Sequence, residues 1–259
     1  MRGLPGVTTA RRLQGRVVVV TGACGSIGRA TTLRLAMEGP EAIVALDAQS
    51  DFGGLADEVR AAGPDILCLS VDCTQPDAIA AGFRQVHDRF ARVDVLVNTV
   101  GGSVRGKVGE FWCSEPATWR QVIDLSLMSA MWCAREVVTG MRERRRGSIV
   151  SIASSAATQP IPTLVDYGAA KAGVLGFTRG LALELAPFGV NVNAVSPGPI
   201  DTFGLQQLPE VRQRSLQGVP MGRLGKPEEI AAAVAFLAGD DGTFVTGHNL
   251  QVNGGKAFS

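Results

Sequence analysis

The chain has 259 residues, 46% apolar and 19% charged, a composition able to bury a sizeable core in one large α/β domain or two small ones. With 25 basic and 24 acidic side chains it has no field to gather polyanions, which argues against nucleic acid or an anionic membrane as partner and points to a small-molecule substrate. Five cysteines without CxxC spacing fit neither a disulfide framework nor a zinc site, so reduced, mostly buried thiols and no bound metal are expected.

Residues 1–14 carry Arg2, Arg11 and Arg12 among small and turn-forming residues, without the apolar segment of a signal peptide or membrane span. They read as a flexible lead-in to a cytoplasmic protein whose residues 15–259 form one domain. A first strand is predicted over Arg16 to Val20. Directly after it comes TGACGSIG, Thr21 to Gly28, where glycines permit a tight turn and let a pyrophosphate approach backbone amides at a helix N-terminus. Alone this segment could be an ordinary glycine-rich turn. A helix including Ala30 to Met37 follows, then a strand over Ala42 to Leu46. Asp47 closes that strand, where a carboxylate can hold both ribose hydroxyls and repel a 2′-phosphate, or merely cap the loop.

Further strands are predicted over Ile66 to Val71 and Val93 to Val97, with Thr74, Pro76 and Asp77 opening the helix between them. Trp119, Ile123, Leu127, Ala130 and Ala134 make an apolar stripe of helical period, with Ser126 on the same face. Arg142 to Arg146 would end that helix, placing positive charge at its C-terminus. Trp112, Trp119 and Trp132 are expected in core or interface packing. After a strand over Ser148 to Ile152 comes the most informative segment, Tyr167-Gly-Ala-Ala-Lys171. Residues four apart share a helix face, so an ammonium comes toward the phenol of the chain's single tyrosine and favours its phenolate. Strands over Val190 to Val195 and Asn249 to Val252 bring the count to seven. Between them Thr202 to Val219 reads as a loop-like lid or a packed connector, and Pro227 with Glu228 and Glu229 opens a last helix.

Fully apolar strands alternating with helices specify an α/β fold: one Rossmann-type doubly wound domain, a seven-stranded parallel sheet with helices on both faces. Ligands of such sheets bind in the crevice beyond the strands' carboxyl ends. A hydrolase of the Ser-His type lacks its parts, since His87 and His248 are the only histidines and no GxSxG segment occurs.

In their order these motifs resemble the short-chain dehydrogenase/reductase family from Gly15 to about Gly255. The glycine loop and the YxxxK pair are joined by Asp72, by Asn98 to Gly101 (NTVG), by Ser154 thirteen residues before Tyr167, and by Ser196-Pro197-Gly198. The resemblance implies that Ser154, or its neighbour Ser155, hydrogen-bonds the substrate oxygen. It further implies that Tyr167 transfers the proton and that Lys171 holds the nicotinamide ribose while lowering the Tyr pKa. It assigns the cofactor to Gly22, Gly25, Ser26, Ile27 and Gly28, with Asp72 and Cys73 near adenine, Asn98 and Gly101 lining the cleft, and Pro197, Gly198, Ile200 and Thr202 at the nicotinamide end. It also suggests a homotetramer assembled around Gln251 to Gly255.

Three positions depart from the family pattern. Ser26 replaces the usual middle glycine, Thr99 and Val100 stand within the usual NNAG, and Ser126 takes the place of a helix Asn that supports a relay water. An inward Ser126 hydroxyl could still hold water, or it could simply fill a packed seam. Ser126 and the NxVGG wording are similar to bacterial cis-dihydrodiol carboxylate dehydrogenases, and Arg105 or Lys107 could pair a substrate carboxylate or stay solvated. The expectation is an NAD-dependent oxidoreductase interconverting a cyclic or bulky secondary alcohol, or a dihydrodiol, and its ketone. The alternatives are an NADPH-dependent 3-oxoacyl-thioester reductase and a non-catalytic nucleotide-binding scaffold or redox sensor.

Overall fold

The computed structural model describes residues 11–104 and 109–258. Strands β1 (Val17–Thr21), β2 (Ala42–Asp47), β3 (Asp65–Ser70), β4 (Val95–Asn98), β5 (Gly147–Ile152), β6 (Val190–Pro197) and β7 (Asn249–Val252) form one sheet in the order β3-β2-β1-β4-β5-β6-β7. All its pairings are parallel, and each strand lies within two residues of its predicted bounds. The connections carry α1 (Ser26–Ala36), α2 (Leu55–Ala62), α3 (Pro76–Phe90), α4 (Pro116–Ile123), α5 (Ser129–Arg144), α6 (Val165–Leu185), α7 (Phe203–Gln206), α8 (Pro209–Leu216) and α9 (Pro227–Ala238).

Alternation along the strands sorts the core into two layers. Val18, Val20, Ile43 and Ala45 pack with Leu35 of α1, Val59 of α2 and Ile230 and Val234 of α9. Val19, Val44 and Leu46 face the other way, onto Phe83 of α3, Val137 of α5 and Leu185 of α6. Full burial of each such large side chain contributes about 1.5–3 kcal/mol. From β1 the chain builds outward first through β2 and β3, then through β4 to β7, so the crevice between the C-terminal ends of β1 and β4 is the topological switch point.

Four sequence expectations change. The lead-in is anchored at its end: Leu13 is fully buried in the core, and Arg12 pairs with Glu38 at 2.9 Å and Asp241 at 2.5 Å. Thr74 is not the cap of α3. Gln75 occupies that place, because Pro76 sits at the first helical position, while Thr74 donates through its amide and hydroxyl to Asp72 Oδ1 at 2.9 and 2.7 Å. The lid is helical rather than loop-like, with α7 and α8 started by Thr202 and by Pro209. Not all thiols are inside, since Cys73 and Cys133 are buried but Cys113 is exposed.

The apolar stripe is also displaced. Ile123 is 38% exposed and Trp119 stacks on Phe111 at 4.8 Å, whereas Val122, Ser126, Ala130, Cys133, Ala134 and Val137 face inward. The cause is a π turn over Asp124–Met128, where the Ser129 amide reaches back five residues to Asp124 O. One extra residue per turn rotates the face by about 100° relative to a continuous α-helix, which the 3.6-residue period could not anticipate. Trp112, expected in core or interface packing, is exposed in the single chain and so is not part of its core.

Candidate active site

At the switch point lies a cleft of about 400 Å³ walled by the glycine loop, the segment after β4, the end of β5, the start of α6 and the segment after β6. Its lining includes Gly22, Gly25, Ser26, Ile27, Gly28 and Gly101 from the cofactor residues expected near β1 and β4. Ser154, Tyr167 and Lys171 line it from the opposite wall, and Pro197, Gly198, Ile200 and Thr202 close one end. Residues more than a hundred positions apart thus meet in one place. Ser155, the alternative to Ser154, is buried and does not face the cleft.

The glycine loop is shaped to let something approach it. Gly22 has φ +66, and a Cβ on Gly28 would stand 2.0 Å from Gly22 O, so α1 meets the turn leaving β1 backbone to backbone. Gly25 caps α1 without a side-chain hydrogen bond, and the first turn has no acidic residue, leaving free amides and positive dipole for an anion. Thr99 braces this arrangement: its hydroxyl donates to Thr21 O at 2.5 Å and its amide donates to Thr21 Oγ1 at 3.2 Å. The sequence marked Thr99 only as a departure; the loss of the family's usual Asn was the signal that a hydroxyl had a task there.

Asp47 stands just behind the loop, accepting from Cys24 N at 2.9 Å through one oxygen and from Gln49 N at 3.1 Å through the other. Burial, with the neighbouring Asp47 charge, pushes the Cys24 thiol up to about 11, so the loop carries no thiolate to repel a phosphate. Arg29, the first basic residue after the loop, is paired with Glu58 of α2. The donor set, the glycine cradle and the acceptor behind it fit a dinucleotide.

Facing the loop, Lys171 is buried and donates to Ile152 O at 2.6 Å. Gly101, at φ +147, leaves it room: a Cβ there would lie 2.7 Å from Lys171 Nζ and 3.3 Å from Ser126 Oγ. Ser126 points inward from the π turn, and its hydroxyl accepts from Gly102 N at 3.2 Å, so it is tied to the loop after β4 and sits behind the cleft wall. Ser154 Oγ accepts from Ala156 N at 3.1 Å, which fixes the oxygen and leaves its O–H to donate into the cleft.

The remaining expected residues fall outside the lining. Asn98 is buried, donating to Ser151 Oγ at 3.2 Å. Asp72 is exposed at the end of β3, and the Cys73 side chain is buried in the core, so a ligand at this place would meet backbone and not the thiol. Arg105 and Lys107 lie outside the described residues. Sequence reasoning missed Ser103, Ile152 and Ala153, whose place in the cleft depends on how the segments after β4 and β5 run, which periodicity does not encode.

Residues 22–257 match the family model described as enoyl-(acyl carrier protein) reductase. The chain is 36% identical over 245 residues to a 3-oxoacyl-(acyl-carrier-protein) reductase of Thermotoga maritima, covering 94% of this chain and 98% of that protein. The chain belongs to the short-chain dehydrogenase/reductase family. As a member it is an oxidoreductase acting between carbonyl and hydroxyl groups with a nicotinamide dinucleotide. An acetoacetyl-CoA reductase of Allochromatium vinosum is 40% identical over 245 residues, 93% of this chain and 98% of its own. Among solved structures, a 7α-hydroxysteroid dehydrogenase complexed with NADH and 7-oxo glycochenodeoxycholic acid superposes with a TM-score of 0.88 at 29% identity, covering 95% of this chain and 96% of that one. The likeness to dihydrodiol dehydrogenases rests on sequence wording alone.

Burial gives Lys171 a measurable signature. Desolvation lowers it from an ordinary 10.5 to about 8, so the folded state releases the proton before the unfolded chain does. Below pH 8 both states are charged and folding carries the whole cost of burying the ammonium. Between pH 8 and 10.5 the unfolded chain binds the extra proton, and this contribution makes stability rise with pH. Denaturant unfolding of the cofactor-free protein should therefore show wild type gaining on Lys171→Met by on the order of 3 kcal/mol from pH 7.5 to 10.5. Parallel pH profiles for the two proteins would show that the burial penalty is absent.

Proposed function

We propose that this enzyme interconverts a 3-oxoacyl thioester and its 3-hydroxyacyl counterpart, with NAD(H) rather than NADP(H) as hydride carrier. The observation that carries the substrate class is its similarity, at 36% and 40% identity over almost the whole chain, to reductases of 3-oxoacyl and acetoacetyl thioesters. This reading replaces the cyclic alcohol or dihydrodiol expected from the sequence. The cofactor preference rests on Asp47, whose carboxylate is held at the end of β2 by two backbone amides, and on the engagement of Arg29 by Glu58. A 2′-phosphate would meet the acid and find that arginine already paired.

When bound, the cofactor supplies the hydride. The chain supplies the rest. Ser154 donates its free O–H to the carbonyl oxygen, and Tyr167 gives that oxygen its proton as negative charge builds there. Lys171 spends one N–H on Ile152 O, keeping two for ribose hydroxyls while its charge favours the departing proton. Ser126 braces the Gly101–Gly102 turn beside it, a supporting role in place of holding a relay water. The loop residues Gly22 to Gly28 receive the pyrophosphate, and the segment Pro197 to Thr202 borders the nicotinamide end. A homotetramer in the cytoplasm is consistent with this reading and is testable by light scattering.

A second reading, oxidation of a cyclic secondary alcohol with NAD, is favoured by the structural likeness to the hydroxysteroid dehydrogenase bound to NADH. One assay series separates the possibilities: acetoacetyl-CoA, a 7-oxo steroid and a simple cyclic ketone, each with NADH and with NADPH. The expected outcome is kcat/KM for acetoacetyl-CoA with NADH about 100-fold or more above either ketone and above NADPH. A winning ketone supports the second reading, and an NADPH preference defeats the Asp47 argument. No turnover of any pair would leave the scaffold reading standing.

A further inference from the structure

Ser26 does something the glycine it replaces could not. Its hydroxyl accepts the backbone N–H of Phe203 at 3.1 Å, joining the first residue of α7 to the glycine loop across 177 positions of sequence. The N–H concerned is one that a helix start leaves without an internal partner, and Thr202 at the cap makes no side-chain hydrogen bond to relieve it.

Little else holds this segment down. Leu205 is its one buried apolar side chain, α8 has none, and Phe203 is 70% exposed. Asp201, just before the lid and itself bonded through its amide to Gly225 O at 2.8 Å, pairs with Arg212 through two hydrogen bonds of 3.1 Å, so α8 is held to the body by one exposed ion pair while α7 is held by Ser26. A segment with so little buried surface opens at low cost, so one added hydrogen bond is a large share of its attachment. Ser26, Thr202 and Leu205 all line the same cleft.

We infer that the Ser26 hydroxyl is a positioning group that couples occupancy of the glycine loop to closure of the α7–α8 lid. The coupling rests on the dinucleotide reading given above. A hydroxyl has one proton and two lone pairs; one lone pair takes the Phe203 N–H, and the proton remains for an anion seated on the amides of α1. An anion accepting from that proton polarises the oxygen and strengthens the bond to Phe203. Cofactor first, lid second, is the order this produces, and by linkage a held lid retains the cofactor by the same factor.

Limited trypsin digestion at Arg212 and Arg214 of the lid reads this without turnover. In the cofactor-free protein Ser26→Ala should be nicked about three-fold faster than wild type, and Ser26→Thr, which keeps the hydroxyl, at the wild-type rate. Equal rates for wild type and Ser26→Ala overturn the latch. With saturating NADH, protection should be about five-fold greater in wild type than in Ser26→Ala, with NADH release faster in the variant by a similar factor. Equal protection overturns the coupling. Failure of wild type to bind NADH in a fluorescence titration would sink the cofactor reading and the coupling, while the cofactor-free comparison still judges the latch.

Discussion

Replacing Tyr167 with phenylalanine should lower the rate of carbonyl reduction by about 10²- to 10⁴-fold. The ring stays, so the packing of α6 against the cleft is kept and only the O–H is lost. NADH affinity should then change by less than about three-fold, since the glycine loop and Lys171 are untouched. Ser154 would still donate to the carbonyl oxygen, which is why activity falls without vanishing. The measurements are kcat with acetoacetyl-CoA and a fluorescence titration with NADH. A turnover loss below ten-fold would assign the proton to another group, and a matching loss of NADH affinity would mean that the phenol serves binding.

Gly28→Ala should do comparable damage by a different route. A methyl there would overlap Gly22 O at 2.0 Å and approach Thr99 Oγ1 at 2.8 Å. Neither atom can yield cheaply: one is backbone of the tight turn leaving β1 and the other is held by its bond to Thr21 O. The helix must move off the sheet, at about 1–3 kcal/mol or more, and its free amides move with it. Thermal unfolding should report the lost stability, and NADH binding should weaken by about 100-fold. Retention of wild-type NADH affinity would show that the loop does not hold the dinucleotide.

Much of the fold was legible because parallel strands buried on both faces are continuous apolar runs, and each of the seven was located within two residues. The site was legible where chemistry is local in sequence. TGACGSIG and Tyr167 with Lys171 place their groups by loop and helix geometry alone, and both sets reached the cleft. What stayed illegible was non-local. Cys73 follows Asp72, yet its side chain turned into the core; Ser154 and Ser155 could be told apart only by which of them the turn after β5 presented. The Thr99 brace and the Ser26 bond join segments 78 and 177 positions apart, and no local pattern announces either. The proposed substrate class rests on relatives, because substrate recognition belongs to loops whose paths periodicity does not describe.

The widened turn at Asp124–Met128 has a consequence for how this protein can vary in length. Removing one residue there would let the helix run unbroken while keeping the phase of α4, because the wider turn is what absorbs the extra residue, so Val122 and Thr118 would stay in the interior. The change would fall inside the turn itself, shifting the Ser126 hydroxyl relative to the Gly102 amide and loosening the wall beside Lys171. The packing of α4 is therefore tolerant of a one-residue difference at this place, and what such a deletion would change is the cleft wall that the turn supports.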